Sequence, residues 1–494
     1  MTDLPRFQLY IDGAFTDAEG GATYESLSPA TAAPWAIMPA AGEGDVDRAV
    51  AAARRAFNEG DWPAMTASAR GALLYNLADI LAARAGELAE LETRDTGKII
   101  RETMGQTGYA AAYYRYFAGL ADKIEGSTLP IDKPDMEVST RREPLGVVAA
   151  IVPWNSQLFL SAVKLGPALA AGNTVVLKAS EDGPAPLLKF AELIQEAGFP
   201  PGVVNIITGM GEPCGRALTS HPDVNRVAFT GGPATARRVV ENTANNLAMT
   251  TLELGGKSPV VVFGDADIES ATNGVIAGIF GASGQSCVAG SRLLVEASVH
   301  DEIVDRLASR APEIVLGDPL DQATEMGPLA TERQLANIER VVAASIEAGA
   351  EVATGGARPN ELAPGWYYPP TVLTCPSQDL PAPATELFGP VLSVIKFADE
   401  DQAVQMANAT PYGLASGVFT RNLARGTRMT RRLRAGIVWV NTYRAVSPVA
   451  PFGGFGHSGY GRESGMDAIH DYTRTKTVWV NASDEPMPDP FVMR

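Results

Sequence analysis

Short β-branched runs that alternate with helical segments constrain the fold of this chain more than any other feature. Thr174–Lys178, Val203–Thr208 and Arg226–Thr230 are apolar enough to be buried strands. A helix over Pro184–Ala197 and a shorter one over Glu212–Ser220 separate them. Strands that follow one another through helices need right-handed crossovers and therefore form a parallel sheet. The pattern predicts an α/β fold with a ligand site beyond the carboxyl ends of these strands.

A second alternating region follows, and the length of 494 residues favours more than one domain. Ser258–Phe263 and Arg292–Glu296 have the composition of buried strands, and a helix that ends near Phe280 separates them. From about Asp45 to Arg115, apolar side chains recur at three- and four-residue spacing, as they do in helices. The second region is predicted to be a second α/β domain.

Two further segments have the pattern of exposed strands. Met136–Arg141 alternates like a strand that Pro144 ends, and Thr477–Val480 is a late strand with little chain left to cover it. An uncovered strand offers unpaired backbone groups to a neighbouring sheet edge. We expect both strands to pair with another subunit, which predicts a homo-oligomer.

The charge and the cysteine content limit the partners of this chain. It has 57 acidic and 40 basic residues, a net charge of −17, which phosphate backbones and anionic lipids repel. Nucleic acid and membrane are therefore not expected partners. Cys214, Cys287 and Cys375 lie far apart, and with four histidines they show no metal-ligand spacing. Sparse cysteines and the lack of a signal-peptide pattern predict a cytoplasmic protein without a metal.

Three residues could carry covalent or acid–base chemistry, although each also has an ordinary structural interpretation. Cys287 is flanked by small residues that give a substrate access to its thiol, yet a buried, unreactive cysteine fits the same stretch. Glu253 lies beside Gly255-Gly256, where partial burial would raise its pKa toward that of a general base. On its own, a surface glutamate at a strand end fits better. Asn155 could donate to an oxyanion, but its segment is more often a turn.

An anion such as a pyrophosphate could bind where the third strand ends. Gly231-Gly232 precede a helix that begins with Pro233, and the free backbone N–H groups of a helix N-terminus bind phosphate. The segment is not a GxGxxG fingerprint, so the pattern alone is weak. Lys178 and Glu181 follow the first strand at its carboxyl end, where a solvated pair of loop charges is the alternative.

Taken together, these segments give the chain a resemblance to the aldehyde dehydrogenase superfamily over roughly Gln8 to Val480. Their order and spacing are those of the family, and the ordered set is highly specific. The matching segments are Pro153-Trp154-Asn155, Lys178-Ala179-Ser180-Glu181, Phe229-Thr230-Gly231, Leu252-Glu253-Leu254-Gly255-Gly256-Lys257, Gly284-Gln285-Ser286-Cys287, Glu386-Leu387-Phe388-Gly389-Pro390 and Pro451-Phe452-Gly453-Gly454.

The resemblance implies a Rossmann-like parallel-sheet cofactor domain, an α/β catalytic domain and a small β oligomerisation arm. Residues 1–122 and 143–254 would form the NAD-binding domain, and residues 255–457 the catalytic domain. Residues 123–142 and 473–494 would form the arm. The assemblies of the family imply a homodimer or a homotetramer.

The resemblance also implies the oxidation of an aldehyde to a carboxylic acid. Cys287 looks like the nucleophile, and Glu253 looks like the base that activates the hydrolytic water. Asn155, with the backbone N–H of Cys287, looks like the oxyanion hole. Lys164 and Glu463 match positions proposed to relay protons from the base. Thiolate attack, hydride transfer and hydrolysis of the resulting thioester would complete the reaction.

NAD is the implied cofactor. Lys178 and Glu181 look like ligands of the adenosine ribose, and Glu386 looks like the ligand of the nicotinamide ribose. Because the Glu181 carboxylate would repel the 2′-phosphate of NADP, NAD is expected to be preferred. Gly232 stands where the family usually has a serine, so backbone donors must replace a hydroxyl at the pyrophosphate. The full implied set is Ile151, Val152, Pro153, Trp154, Lys178, Ser180, Glu181, Gly211, Gly215, Phe229, Thr230, Gly231, Gly232, Leu254, Glu386 and Phe388.

The resemblance does not identify the aldehyde. Most implied pocket residues are apolar or aromatic, which suits a hydrophobic aldehyde, whereas Arg444 could bind a carboxylate or remain a solvated loop arginine. A semialdehyde-specific enzyme, an enzyme that transfers the acyl group to coenzyme A, and a catalytically silent crystallin-like relative are the alternatives. The presence of Glu253 favours hydrolysis over transfer. The implied pocket positions are Tyr109, Tyr113, Ser156, Phe159, Ser286, Val288, Arg444, Val446 and Phe452.

Overall fold

The computed structural model describes residues 4–487 and 489–492. The outer ends of two predicted domain ranges, residues 1–3 and 493–494, lie outside the described residues, as does residue 488. The strands are β1 (Leu9–Ile11), β2 (Ala14–Thr16), β3 (Thr23–Ser28), β4 (Ala33–Pro39), β5 (Met136–Pro144), β6 (Val147–Ile151), β7 (Thr174–Ala179), β8 (Val204–Thr208), β9 (Val224–Gly231), β10 (Met249–Leu254), β11 (Pro259–Val262), β12 (Arg292–Glu296), β13 (Glu351–Thr354), β14 (Thr371–Thr374), β15 (Val391–Phe397), β16 (Ala415–Phe419), β17 (Ile437–Val440), β18 (Gly459–Tyr460) and β19 (Thr473–Asn481). The α-helices are α1 (Glu43–Asn58), α2 (Asp61–Ala64), α3 (Ala67–Ala83), α4 (Ala85–Thr96), α5 (Ile100–Leu120), α6 (Gln157–Ala170), α7 (Ala185–Glu196), α8 (Arg216–Ser220), α9 (Pro233–Thr243), α10 (Ile268–Ile279), α11 (His300–Arg310), α12 (Glu332–Glu347), α13 (Pro381–Ala384), α14 (Glu400–Asn408), α15 (Leu423–Arg432) and α16 (Gly465–Asp471).

The first sheet has the strand order β18-β10-β9-β6-β7-β8-β1-β2. Its central strands, β10, β9, β6, β7 and β8, run parallel, and β18, β1 and β2 are antiparallel at the edges. Helices α3, α5, α6 and α7 cover one face, and α1, α8 and α9 cover the other. Burial on both faces explains why β6 to β9 are almost continuously apolar in sequence. The predicted α/β fold with a parallel sheet is confirmed.

The second sheet has the order β13-β14-β15-β12-β11-β16-β17 and is parallel except at β13. Its apolar faces are covered by α10 and α11 on one side and by α12, α14 and α15 on the other. The strands predicted in this region are β11 and β12, and they are direct neighbours. β18 joins the first sheet, although the predicted domain ranges leave it unassigned.

The carboxyl ends of the parallel strands bring the candidate residues to one edge of the first sheet. β6 is followed by Asn155, β7 by Glu181 and β9 by Gly232, while Glu253 lies near the end of β10. Parallel strands all end at the same edge, so segments about 100 residues apart in sequence meet there.

One predicted helix begins later than its sequence suggests. The prediction ran from Glu212 to Ser220, but α8 begins at Arg216, and a π-type turn over Gly211–Gly215 precedes it. Glu212 is extended, with φ −119° and ψ 128°. The cause is Pro213, because a proline disfavours helical geometry in the residue before it.

The two arm strands pair with each other within the chain. β5 and β19 are antiparallel, with nine residues opposed to nine, from Met136 opposite Asn481 to Pro144 opposite Thr473. Pro144 is thus the last residue of its strand, and β5 extends beyond the predicted Arg141. Within the described part of the chain, no strand pairs with the other edge of β19.

Residues 4–487 and 489–492 contain neither a candidate membrane span nor a candidate metal site. No helix there is long and apolar enough to cross a membrane. No group of three or more His, Cys, Asp or Glu side chains is placed to hold a metal ion.

Candidate active site

A cavity of about 420 Å³ lies at the carboxyl edge of the first sheet and is also lined by loops of the second α/β unit. Its volume is within the range of small-molecule sites. The predicted residues that line it are Tyr109, Tyr113, Pro153, Trp154, Asn155, Ser156, Phe159, Thr230, Gly231, Gly232, Glu253, Leu254, Ser286, Cys287, Val288, Glu386, Phe388, Arg444, Val446, Phe452 and Glu463. The predicted residues that do not line it are Ile151, Val152, Lys164, Lys178, Ser180, Glu181, Gly211, Gly215 and Phe229.

Three glutamines of the cavity wall were not predicted from the sequence: Gln106, Gln285 and Gln334. Gln334 donates to the carbonyl oxygen of Phe388 at 3.1 Å, and Gln285 accepts from the backbone N–H of Ala330 at 2.9 Å. These side chains connect loops that are far apart in sequence. No local pattern marks such a residue, because its partners come from other elements.

Cys287 follows a tight turn that requires glycine. Ala282 and Ser283 both have a φ of 53°, and Gly284 has a φ of 70°. A Cβ on Gly284 would lie 2.1 Å from the carbonyl oxygen of Gly389, so no other residue fits there. The turn leads from α10 to Cys287, which is partly exposed in the cavity wall.

The surroundings of Cys287 favour the neutral thiol. Burial raises the pKa of Cys287 to about 12, and the carboxylates of Glu253 and Glu386 add to the rise. The backbone N–H of Val288 and the charge of Arg444 lower it, but by less. In the free protein the thiolate is therefore a minor form near neutral pH, and it increases as pH rises.

Asn155 lies in the 3₁₀ turn Trp154–Ser156 that connects β6 to α6. Its Nδ2 donates to the backbone carbonyl of Gln285 at 3.0 Å, two residues before Cys287. The amide is therefore beside the segment that contains Cys287. An amide at this place can donate to an oxygen that becomes negatively charged next to the sulfur.

Glu253 is buried, with 3% of its surface exposed, so the surface interpretation of this residue is wrong. Among the described residues, neither of its carboxyl oxygens has a hydrogen-bond partner. Burial raises the pKa of Glu253 well above its ordinary value, and the negative charge of Glu463 contributes; Lys164 and Arg462 oppose this rise. Two unpaired oxygens on a cavity-lining carboxyl group can bind a water molecule and later accept its proton.

Lys164 and Glu463 form a buried ion pair next to Glu253. Lys164 Nζ donates to Glu463 Oε1, and the two side chains are 0% and 5% exposed. Glu463 also lines the cavity, whereas Lys164 does not. The pair therefore connects the cavity wall at Glu463 to the buried Lys164 side chain of α6, as a proton relay from Glu253 would require.

The end of β7 has the side chains that a ribose needs. Lys178 Nζ lies 3.2 Å from Glu181 Oε2, so an ammonium and a carboxylate are available to the two hydroxyls of one sugar. Lys178 is buried and Glu181 is about one third exposed. A buried lysine excludes the solvated-loop alternative for this position.

The end of β9 can receive a pyrophosphate. Thr230 Oγ1 is buried and has no partner among the described residues, and a Cβ on Gly232 would meet no atom within 4 Å. The N-terminus of α9, an eleven-residue helix, follows directly. An unpaired hydroxyl, open space and free backbone N–H groups suit a phosphate, even without the serine common in the family.

Glu386 is held where a second ribose could meet it. Its Oε1 accepts from the backbone N–H of Gly256 at 2.9 Å, and a Cβ on Gly255 would lie 1.9 Å from its Oε2. Burial raises the pKa of Glu386 to about 7, while the Gly256 N–H and Lys257 lower it. The ends of β7 and β9 together with Glu386 thus offer donors and acceptors of the kind that NAD requires.

Aromatic side chains form a further part of the cavity wall. The ring centroids of Tyr109, Tyr113 and Phe159 lie 5.1 to 6.1 Å apart, and Tyr109 Oη donates to the carbonyl of Val446 at 2.8 Å. Arg444 lines the same cavity. The pocket is thus mostly apolar and has one cationic side chain.

Comparison with known proteins gives a consistent result. The aldehyde dehydrogenase family profile matches residues 15–478. The (Z)-2-((N-methylformamido)methylene)-5-hydroxybutyrolactone dehydrogenase of Acinetobacter baylyi is 61% identical over 492 residues, which is 99% of this chain and 100% of that protein. PnpE from Pseudomonas sp. WBC-3, solved in complex with nicotinamide adenine dinucleotide, is 47% identical with a TM-score of 0.96 over 98% of this chain and 99% of that one. The NAD+ complex of a Bacillus cereus aldehyde dehydrogenase is 42% identical with a TM-score of 0.95 over 97% of each chain.

The chain therefore belongs to the aldehyde dehydrogenase family. It is an oxidoreductase that oxidises an aldehyde to a carboxylic acid with NAD. The reaction class and the cofactor predicted from the resemblance are confirmed.

The raised pKa of Cys287 predicts how the free protein reacts with iodoacetamide. Only the thiolate is alkylated, so the rate at Cys287 should rise about tenfold per pH unit between about pH 7 and pH 9, without a plateau. Intact mass and peptide mapping would assign the adduct to Cys287, since Cys214 and Cys375 are buried. The Cys287→Ser variant is the control. A rate that levels off below about pH 8 would contradict the assigned environment.

Proposed function

We propose that Cys287 is the nucleophile, that Asn155 and the Cys287 backbone N–H form the oxyanion hole, and that Glu253 is the hydrolytic base. The observation that supports this best is the Asn155 Nδ2 to Gln285 carbonyl bond of 3.0 Å, which holds the amide beside the Cys287 segment. The Cys287 thiolate attacks the aldehyde carbon, and the two donors bind the resulting oxyanion. NAD, when bound, accepts the hydride, and a thioester remains on Cys287.

Glu253 would act in the second half of the reaction. Its unpaired oxygens would hold a water molecule, and its raised pKa makes it a stronger base once it is deprotonated. Water attacks the thioester carbonyl and passes a proton to Glu253, and the carbon–sulfur bond then breaks, which releases the acid and restores the Cys287 thiolate. Glu463 and Lys164, paired in the adjacent interior, would carry that proton away from Glu253.

The two halves of the reaction predict different behaviour for two variants. Cys287→Ser should lose nearly all turnover, because a serine hydroxyl is hardly ionised near neutral pH. Glu253→Gln should keep one turnover of NADH formation and then stall as a thioester, with steady-state turnover lower by about 10²–10⁴-fold. Rapid mixing with intact-mass analysis of the quenched enzyme would detect the burst and the acyl adduct. Loss of the burst in Glu253→Gln would show that Glu253 acts before hydride transfer.

For the cofactor, we propose that the predicted set around β7, β9 and Glu386 binds NAD. Lys178 and Glu181 would take the adenosine ribose, Gly231-Gly232 the pyrophosphate, and Glu386 the nicotinamide ribose. The ring centroids of Trp154 and Phe388 lie 5.4 Å apart at this part of the cavity wall and would bound the cofactor there. A carboxylate at Glu181 supports a preference for NAD over NADP.

For the substrate, we propose an aldehyde that carries a carboxylate. The relative from Acinetobacter baylyi is named for a 5-hydroxybutyrolactone. In such a ring the hydroxyl is on the carbon next to the ring oxygen, so ring opening gives an aldehyde at one end and a carboxylate at the other. The open form is thus a substituted 4-oxobutanoate, and only its aldehyde carbon can be attacked by a thiolate.

Arg444 would receive that carboxylate. Its Nη1 donates to the carbonyl of Ala277 at 2.8 Å, and within the described residues no carboxylate lies within 4.0 Å to pair with it. A Cβ on Gly281 would lie 2.2 Å from Nη1, so the glycine makes room for the guanidinium. A half-buried cation without a counter-ion in the substrate cavity supports recognition of an anionic group over the solvated-loop alternative.

This proposal predicts a difference between two substrates of equal length. Arg444→Ala should lower kcat/KM for 4-oxobutanoate by about 10- to 100-fold, because a hydrogen bond to a charged group is worth about 1.5–3 kcal/mol. The value for butanal, which lacks the carboxylate, should change by less than about threefold. Arg444→Lys, which keeps the charge, should be intermediate. Steady-state NADH formation measures kcat/KM for the wild type and both variants on both substrates. Equal losses of kcat/KM on both substrates would show that Arg444 acts on the Cys287 thiol and does not bind the substrate carboxylate.

We further propose that the chain assembles as a homodimer or homotetramer through the open edge of β19. Trp479 and Val480 on this strand are 56% and 50% exposed, and an open edge with exposed apolar side chains favours pairing with a second copy.

The predicted division into cofactor domain, catalytic domain and arm stays part of this proposal. A cytoplasmic location is also proposed, which three unpaired cysteines support.

Light scattering tests the assembly. The full chain should have a mass of two or four times 52.0 kDa. Truncation before Lys476 should reduce the number of subunits in the assembly, because it removes most of β19. Truncation after Asn481 is the matched control, which removes the tail and keeps β19 intact. A monomeric full chain, or a truncated chain with unchanged mass, would contradict pairing through β19.

A further inference from the structure

A buried lysine that the reaction scheme does not use lies behind Asn155. Lys98 is 5% exposed and occupies the short connection between α4 and α5. Gly97 ends α4 with a φ of 77°, and a Cβ there would lie 2.7 Å from Pro328 Cγ. Only glycine turns the chain here without strain, and Lys98 follows the turn into the interior.

Lys98 donates three hydrogen bonds, and two of its acceptors belong to the turn that carries the oxyanion donor. The acceptors are the backbone carbonyl of Asn155, Ser156 Oγ at 2.6 Å and Gln106 Oε1 at 2.8 Å. All three ammonium protons are therefore used, and no acceptor is a carboxylate. Because Lys98 holds the carbonyl of Asn155 and Gln285 holds its amide, the residue is fixed from two sides.

Burial lowers the pKa of Lys98, and the negative charge of Glu92 opposes this shift and favours the ammonium. Glu92 is 1% exposed and lies on α4, the helix that precedes Lys98. Burial raises the pKa of Glu92, whereas Lys98 and the backbone N–H groups of Leu158 and Gln157 lower it. Those N–H groups are the first of α6, which begins directly after Ser156. Glu92 thus lies near the start of α6, and Lys98 bonds to the turn before it, which contains Asn155.

We propose that Lys98 is a positioning residue that keeps the Asn155 amide oriented toward the developing oxyanion. The inference rests on the proposed role of Asn155 as the oxyanion donor. Without Lys98, the Asn155 carbonyl and the Ser156 hydroxyl lose a common donor, and the turn can relax. The transition state then loses a preorganised donor, and loss of one such donor typically lowers the rate by about 10²–10³-fold.

A double-mutant cycle separates positioning from a general structural role. Lys98→Met and Asn155→Ala are made singly and together in the full chain, and the rate of the NADH burst is measured with saturating NAD and butanal. Thr103→Val is the matched control, because Thr103 is equally buried on α5 but bonds only to Thr93 and Ile100. Melting temperature and equilibrium NAD binding are measured for every variant.

We expect Lys98→Met to slow the burst about 100-fold, and to slow it less than about threefold when Asn155 is already alanine. NAD affinity should change less than about twofold, since Lys98 does not line the cofactor site. Thr103→Val should lower the melting temperature without slowing the burst. This pattern shows that Lys98 acts through Asn155 and not through overall stability.

Three outcomes would overturn the inference. A wild-type burst in Lys98→Met, or an equal fall in both backgrounds, would assign Lys98 a structural role only. A wild-type burst in Asn155→Ala alone would refute the proposed oxyanion hole itself and this inference with it, so the two failures are distinguishable. If Lys98→Met does not fold, the cycle is run with Ser156→Ala, which removes one acceptor of Lys98 and should slow the burst by about three- to tenfold only when Asn155 is present.

Discussion

Desolvation at the carboxyl edge of the first sheet determines the charge of the groups around the cavity. It raises the pKa of Cys287, Glu253 and Glu386 alike, because each ionised form loses hydration that the protein only partly replaces. The charges of Glu253 and Glu386 also disfavour the Cys287 thiolate. In the free protein, the cavity therefore contains a thiol, Cys287, that is hardly ionised. It also contains a carboxyl group, Glu253, that is a strong base once it is deprotonated. Binding of cofactor and substrate can then change the ionisation of both groups.

Hydrogen bonds to residues behind the cavity wall determine where the reactive groups lie. The Asn155 turn is fixed by Lys98, the Glu386 carboxylate by the Gly256 N–H, and the Cys287 turn by the backbone geometry of Gly284. The first two supports come from segments far away in sequence, whereas Gly284 belongs to the turn that leads to Cys287. Positions held by such contacts change little when substrate binds, which is the condition for stabilising a charge that exists only in the transition state.

The sequence predicted what depends on local pattern, and it failed where a tertiary contact decides. The buried strand at Thr174 was predicted from its β-branched residues, and so was the parallel sheet around it. The burial of Glu253 was not, because a glutamate between leucines is equally common at a surface. Lys98 was missed altogether, since the acceptors that give it a role lie about 57 residues further along the chain. The predicted start of α8 is wrong because Pro213 keeps the residue before it out of helical geometry.

An anionic substrate makes the choice of oxyanion donor important. If a carboxylate binds Arg444, it neutralises the one cation that lowers the pKa of Cys287, and it adds a negative charge to a cavity that already holds Glu253 and Glu386. A mobile cation in the oxyanion hole would be drawn to that carboxylate and away from the reacting carbon. A neutral amide such as Asn155 is not, provided that its orientation is fixed from behind. Lys98 offers that fixation from behind the cavity wall with its three donors already bonded, so it orients the amide without competing for the substrate.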